Sequence, residues 1–306
     1  MNKGILLLTG AFDWHPEEWK ELSRAGYQPI FMQNERDRIP PGGEKAGAIV
    51  CNSLFLYHAM SRFPYLRTIQ LTSAGLDRVD EREIRQKGIT VYSAEDAYSV
   101  PMAEWILFRI LELYKESGKL WKDQCHHRWE KHRQLPELAG KQVLIVGTGY
   151  VGRAAAKRIS AFEANVVGVN RSGHSVPDFR EVYSAEQLDE LLPSTDILIL
   201  ALPLTADTFG LIDGRRLALM PCTSVIINVS RGSILDEAAL TDALKGKRLF
   251  GAALDVFTQE PLPADSPLWD MERVLISSHN SFSGAGNHQR LWHVIRKNLI
   301  ERSGEG

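Results

Sequence analysis

A chain of 306 residues, 44% hydrophobic and 24% charged, carries apolar material for about two globular domains and lies outside the composition of fibrous or disordered proteins. Its 36 Lys and Arg against 38 Asp and Glu leave a net charge of −2, so nothing suggests a nucleic-acid partner and any positive potential must be local to a cleft. No run approaches the roughly 18 apolar residues of a membrane helix, and the opening Ile5–Leu8 run is too short for a secretory signal. Cys51, Cys125 and Cys222 lack C-x-x-C spacing, which argues against a disulfide framework or zinc site and fits a cytoplasmic protein without a membrane partner.

Taken in chain order, the pattern starts with strands near Ile5–Leu8, Gln28–Phe31, Ala48–Cys51, Thr68–Leu71 and Thr90–Tyr92, alternating with helices such as Pro16–Arg24 and Glu81–Gln86. Pro40-Pro41-Gly42-Gly43 reads as a loop. From Pro101 to about Trp121, Trp105, Ile106, Leu107, Phe108, Ile110, Leu111, Leu113 and Tyr114 cover nearly the whole circumference of one helix, which predicts burial on several sides. Of His126, His127 and His132, only the last two fall near one helical face, and no carboxylate or cysteine completes a set, so no metal is expected. A second strand and helix series runs from about Gln142 to Ile276, with a capping box at Ser184-Ala185-Glu186-Gln187 and Asp236 capping a helix through Leu244. Repeated βα units imply parallel sheets, and Gly286–Leu299 reads as a closing helix.

The second series opens on a dinucleotide fingerprint. The apolar strand Val143-Leu144-Ile145-Val146 runs into Gly147-Thr148-Gly149-Tyr150-Val151-Gly152 and an alanine-rich helix, Arg153 to Ala161. Gly147 permits the tight turn, Gly149 the approach of backbone N–H groups to a pyrophosphate, and Gly152 the packing of helix on strand. About twenty residues on, where an acidic residue would hold a ribose 2′-hydroxyl, the strand Asn165–Val169 ends in Asn170-Arg171-Ser172. An amide, a guanidinium and a hydroxyl make a phosphate cradle, so NADP(H) is expected over NAD(H), the alternative being that Arg171 is solvated or stacks on adenine.

Three ionisable residues follow, each just after an apolar run: Arg231 in Asn228-Val229-Ser230-Arg231-Gly232, Glu260 in Asp255-Val256-Phe257-Thr258-Gln259-Glu260-Pro261, and His279 in Ser277-Ser278-His279-Asn280. At strand ends they would stand where open α/β sheets place ligands. Together they suit hydride exchange between a nicotinamide and a small 2-oxo or 2-hydroxy acid. A guanidinium clamps carboxylate or carbonyl oxygens, an imidazole gives or takes the proton of the carbonyl oxygen, and a carboxylate fixes the imidazole's tautomer.

These segments resemble the D-isomer-specific 2-hydroxyacid dehydrogenases, whose members include glyoxylate/hydroxypyruvate reductases and phosphoglycerate dehydrogenases. The likeness extends to Ala201-Leu202-Pro203-Leu204-Thr205 with Thr208, to Gly251-Ala252-Ala253-Leu254-Asp255-Val256 and to Ser73-Ala74-Gly75-Leu76-Asp77. The resemblance implies that Arg231 binds substrate, that His279 is the acid/base with Glu260 as its partner, and that the Ala74 and Gly75 N–H groups meet the substrate carboxylate. It further implies that Pro203, Thr208 and Val229 lie along the cofactor and that Asp255 receives the nicotinamide carboxamide. Pro203 ending a strand and Asp255 capping a turn are the plain alternatives. Ser278, where the family commonly has proline, and Asn280-Ser281-Phe282-Ser283-Gly284 depart from the pattern.

The expected architecture is therefore α/β, with two Rossmann-like or flavodoxin-like domains and the cofactor domain inserted into the substrate domain. Residues 1–99 and 283–306 would form the substrate domain and residues 100–282 the NAD(P)-binding domain, with crossings near Ser99 and Phe282 acting as a hinge. The resemblance also implies a homodimer in which the helix after Pro101 takes part. The alternative to an enzyme is a catalytically weak NAD(P)(H)-sensing binding protein of the same fold, against which the retention of Arg231, Glu260 and His279 weighs.

Overall fold

Short apolar runs spaced by helices become, in the computed structural model, which describes residues 2–302, two all-parallel sheets. Residues 1 and 303–306, included in the expected substrate domain, lie outside the described residues. The chain divides into two units, one made of the residues up to Tyr98 together with those from Gly284 onward, the other of the continuous stretch Ser99–Ser283.

In the first unit β1 (Gly4–Thr9), β2 (Tyr27–Met32), β3 (Ala48–Cys51), β4 (Thr68–Leu71) and β5 (Thr90–Tyr92) pair in the order β2-β1-β3-β4-β5. All four side chains of β3 are buried, as a parallel strand covered on both faces requires. Leu6, Leu8, Ala48 and Val50 face one apolar cluster, and Leu7, Ile49, Cys51 and Ile69 the other. Pro16 opens the helix Pro16–Arg24, and the Glu18 carboxylate accepts the His15 N–H at 2.8 Å, closing a capping box. The C-terminal helix, Asn287–Arg296, belongs to this unit because Leu291, Ile295 and Leu299 fill the cluster around Leu6 and Leu8, each burial worth about 1.5–3 kcal/mol. It ends three residues short of the predicted Leu299 and widens into a π turn, Lys297–Glu301, where buried Asn298 donates to Gln70 at 2.9 Å.

In the second unit β6 (Gln142–Val146), β7 (Asn165–Asn170), β8 (Glu181–Ser184), β9 (Ile197–Leu200), β10 (Val225–Asn228), β11 (Gly251–Leu254) and β12 (Val274–Ile276) pair in the order β12-β11-β10-β9-β6-β7-β8. The chain builds outward from β6 in one direction and then, from β9, in the other. The carboxyl end of β6 is thus the switch point, where such sheets open a crevice. Among the described residues no helix is long and apolar enough to cross a membrane.

Two sequence expectations need correction here. The helix predicted from Pro101 to Trp121 is two helices, Ser99–Tyr114 and Ser117–Cys125, broken at Glu116, whose φ of 48° is left-handed. The first packs Ala103, Ile106, Ile110 and Leu113 against Ile145, Ile199 and Ile227, with Met102, Trp105, Leu107 and Leu111 partly buried on the same cluster, while Phe108 stays 55% exposed. Two of its aromatics flank a guanidinium, Arg109 lying 5.1 Å from the Trp105 ring centre and 5.2 Å from that of Phe108. The histidines after it share no helical face, because the helix stops at Cys125 and His127 turns left-handed. Carboxylates do come near: His132 Nε2 lies 2.7 Å from Asp123, with Glu130 alongside. Arg128, 2.7 Å from the other Asp123 oxygen, makes this an ion-pair knot, and His132 and Arg128 together hold the Asp123 carboxyl below the usual carboxylate range.

Candidate active site

The glycine turn has the shape its sequence demands. Gly147 has φ of 105°, and a Cβ there would fall 2.2 Å from the Ala201 carbonyl oxygen at the end of β9. A Cβ on Gly152 would fall 2.0 Å from the Gly147 oxygen, so turn and helix can meet only as glycines, whereas Gly149 has open space. The helix Tyr150–Ser160 starts at Gly149 with no side chain capping it, leaving first-turn N–H groups of Tyr150, Val151 and Gly152 for an anionic ligand. The residues present therefore fit the pyrophosphate of a dinucleotide. Thr148 is buried, and a Cβ on Gly168 would fall 2.6 Å from its methyl, so β7 needs glycine there to admit it.

At the end of β7 the predicted cradle separates into a frame and an arm. The Asn170 amide is used internally: Nδ2 donates to Thr148 at 3.1 Å and to the His174 carbonyl at 2.9 Å, while Oδ1 accepts from the Ser172 and Gly173 N–H groups. Ser172 Oγ meets His174 Nδ1 at 3.0 Å, which adds an imidazole that the sequence reading did not include. The Arg171 side chain is 93% exposed, with Asp207 no nearer than 3.9 Å. In the loop after β9 the Thr208 hydroxyl donates to the Pro203 carbonyl at 2.7 Å and accepts the Thr205 N–H, so Thr208 shapes the loop that presents Pro203.

After β10 comes the Arg231 turn. Asn228, buried at the strand end, accepts the Ser230 N–H at 3.0 Å and donates to the Arg231 carbonyl at 3.2 Å. The Ser230 hydroxyl accepts the Leu202 N–H at 3.1 Å, tying this turn to the loop after β9, with Val229 buried between. Arg231 itself is half-buried. A Cβ on Gly232 would sit 1.9 Å from the Phe257 carbonyl carbon and 2.3 Å from the Thr258 nitrogen. The backbone next to Arg231 thus presses directly on the loop that carries Glu260.

That loop and the one after β12 meet. His279 Nδ1 lies 2.8 Å from Glu260 Oε2, while Glu260 Oε1 accepts the Phe257 N–H at 3.0 Å. An ionised carboxylate can only accept, so Nδ1 carries the hydrogen and Nε2 is the atom left to face a reactant. His279 has a left-handed φ of 51°, an uncommon state for a side-chain-bearing residue. It is held there by its own N–H donating to the Asp255 carbonyl at 2.8 Å. The Asp255 side chain, wholly buried, takes the Ser277 hydroxyl at 2.5 Å and the Asn280 N–H at 2.7 Å on one oxygen and the Ser281 N–H at 2.9 Å on the other. Asp255 therefore stands under the histidine loop with both oxygens engaged. The positions that differ from the family pattern, Asn280 and Ser281, supply two of its donors. Phe282 lies edge-on to the His279 ring at 6.3 Å.

In the other unit, Ala74 and Gly75 follow β4. The Ser73 hydroxyl donates to the Gly75 carbonyl at 3.1 Å, and the N–H groups of Ala74 and Gly75 have no hydrogen-bond partner among the described residues. Of the residues that position the site, sequence reasoning missed Asn228, Ser230, Gly232 and Ser277 as supports. Their signal was present only as neighbours of the predicted side chains.

A family model described as D-isomer specific 2-hydroxyacid dehydrogenase, NAD binding domain, matches residues 107–281. A glyoxylate reductase of Thermofilum pendens is 33% identical over 247 residues, 79% of this chain and 73% of that protein. A D-3-phosphoglycerate dehydrogenase of Methanocaldococcus jannaschii is 32% identical over 71% of this chain, which spans only 42% of that longer protein. Among solved structures, a D-isomer specific 2-hydroxyacid dehydrogenase from Xanthobacter autotrophicus Py2, in complex with NADPH and MES, superposes with a TM-score of 0.80 at 27% identity, covering 98% of this chain and 95% of that one.

Proposed function

Because the chain belongs to the D-isomer-specific 2-hydroxyacid dehydrogenases, NAD(P)-dependent oxidoreductases, we propose that it reduces a small 2-oxo acid to the D-2-hydroxy acid with His279 as the acid/base. The observation that carries this reading is the 2.8 Å contact of His279 Nδ1 with Glu260. The nicotinamide, when bound, supplies the hydride. His279 Nε2 gives its proton to the carbonyl oxygen as charge develops there, and takes it back in the reverse direction. Glu260 holds the ring in the tautomer that leaves Nε2 outward. Arg231 holds the substrate's carboxylate and carbonyl oxygens with its planar fork, and the Ala74 and Gly75 N–H groups take the carboxylate as well. Asp255, which takes two donors of the histidine loop on Oδ1 and one on Oδ2, positions that loop and keeps acceptor capacity on Oδ2 for the nicotinamide carboxamide.

NADP(H) is the preferred cofactor. Arg171, Ser172 and His174 offer cationic and polar groups at the end of β7 where a carboxylate would repel a 2′-phosphate. The exposed Phe108 and Trp129, the latter 95% accessible, support a homodimer. Three free cysteines suit a cytoplasmic enzyme.

The test is NADPH or NADH oxidation by the purified protein with glyoxylate, hydroxypyruvate, pyruvate and bulkier 2-oxo acids. Turnover that favours NADPH is expected. Tight nucleotide binding without turnover of any of them would overturn the reading in favour of a sensor.

A further inference from the structure

The rim of the first unit holds a cation for which the chemistry above has no use. Arg78 lies three residues beyond Gly75 in the same loop, and its guanidinium donates to Ser53 Oγ at 2.9 Å. It therefore reaches from the loop after β4 to the loop after β3, along the carboxyl ends of two adjacent parallel strands, where open α/β sheets receive ligands. Its charge also acts on the phenol of Tyr98, whose hydroxyl donates to the Thr72 carbonyl just past β4 at 2.6 Å.

Some cations of this unit are matched to carboxylates, as in Arg62 with Glu44, Lys87 with Glu83 and Lys297 with Glu95. Arg78 has no carboxylate within 4.0 Å among the described residues. Glu35, whose carboxylate accepts the N–H of Ser53, is spent on the Thr9 hydroxyl and the Asn52 and Ser53 N–H groups at 2.7, 2.7 and 2.6 Å. A half-buried guanidinium with one neutral partner keeps unused donors in a fixed fork suited to carboxylate or phosphate oxygens.

We propose that Arg78 is a specificity-determining residue that binds a second anionic group at the far end of the substrate, so that the preferred substrates are 2-oxo acids carrying a distal carboxylate or phosphate. The inference rests on the reading that the Ala74 and Gly75 N–H groups take the carboxylate adjacent to the carbonyl. That places the two anionic ends of one molecule on one loop, the first against main-chain donors and the second against the guanidinium. Ser53 holds the guanidinium at the strand ends.

The experiment compares kcat/KM of the full-length protein for glyoxylate, for the dicarboxylates oxaloacetate and 2-oxoglutarate, and for phosphohydroxypyruvate, in wild type, Arg78→Gln and Arg78→Lys. Wild type is expected to favour a dianionic substrate, the dicarboxylate and phosphate arms showing which anion fits. In Arg78→Gln the ratio of dianion to glyoxylate kcat/KM should fall about 10- to 100-fold, through KM, with Arg78→Lys restoring part of it. A ratio within twofold of wild type in Arg78→Gln, or a wild type that turns over glyoxylate but no dianion, overturns the inference and leaves the reductase reading intact. Absence of turnover with every 2-oxo acid removes both.

Discussion

The carboxyl ends of β10, β11 and β12 and the carboxyl end of β7 both offer charged groups to a ligand, yet they are built in opposite ways. At the first, Glu260 and His279 are joined at 2.8 Å, the His279 N–H is tied to β11, and a buried carboxylate, Asp255, accepts three donors from the histidine loop. The Arg231 turn is locked to the neighbouring loop by a contact in which only glycine fits. At the second, Asn170 makes a rigid turn, but the Arg171 side chain that would decide the cofactor is almost wholly solvated. The difference follows from what each proposed task needs. Proton transfer depends steeply on position, so its groups are fixed before the ligand arrives. Recognition of a phosphate at the edge of the cofactor can rely on a flexible cation that orders on contact, at some entropic cost.

The sharpest way to break this comparison is His279→Ala. With the acid/base gone, kcat should fall about 10²- to 10⁴-fold while nucleotide affinity stays within a fewfold, read by steady-state NADPH oxidation and by fluorescence titration. A loss of less than tenfold would show that the fixed end is not where the proton moves. Next comes the support beneath it. Asp255→Asn sets an amide N–H2 against donors that now point at carboxylate oxygens, which should cost about 2–4 kcal/mol of stability and reduce kcat with little change in nucleotide binding. Thermal unfolding and kcat measured on the same sample check it, and an unchanged rate would mean the loop holds its shape unaided.

The adjustable end should respond more mildly. Arg171→Asp is expected to lower the ratio of NADPH to NADH kcat/KM by about tenfold or more, near 1.4 kcal/mol, without altering the fold, because the side chain packs against nothing. No shift in that ratio would assign the choice of cofactor elsewhere.

The smallest effect belongs to the Asp123–His132–Arg128 knot, which resembles the His279–Glu260 pair in its bonding but holds a segment without regular secondary structure. The Asp123 carboxyl is held below its ordinary value of about 4, so its stabilisation is complete above that pH and fades as pH falls through the lowered value. Hydrogen exchange in residues 126–135 should therefore quicken only in acid. Asp123→Asn should bring that faster exchange to neutral pH; equal exchange in mutant and wild type at pH 7 would show that the knot does not order the segment.

Much of this was readable from residue order. Every strand predicted in the two series exists within about a residue at each end, because runs such as Ala48–Cys51 are apolar throughout and can only be buried on both faces. Tyr150 proved to start the helix that was expected from Arg153, since the glycine turn ends sooner than its motif does. His279 Nδ1 lies 2.8 Å from Glu260, the contact on which the proposed acid/base pair rests. The break at Glu116 had a signal in the polar run Lys115-Glu116-Ser117-Gly118-Lys119, which a single helix from Pro101 to Trp121 passes over, but the left-handed residue itself was not readable. Nor was the place of Asp255, since its partners Ser277, Asn280 and Ser281 lie more than twenty residues away along the chain.

By itself the amino-acid sequence determined the two parallel sheets, the glycine turn and the identities of Arg231, Glu260 and His279. These are written in local apolar runs and short motifs, and each depends on neighbours in the chain. Only the tertiary structure decided which glycine is forced by a close approach, which acid lies under the histidine and which arginine at the rim has no carboxylate beside it. Those are contacts between segments far apart in order, and their energies depend on burial and distance that no single stretch of residues specifies.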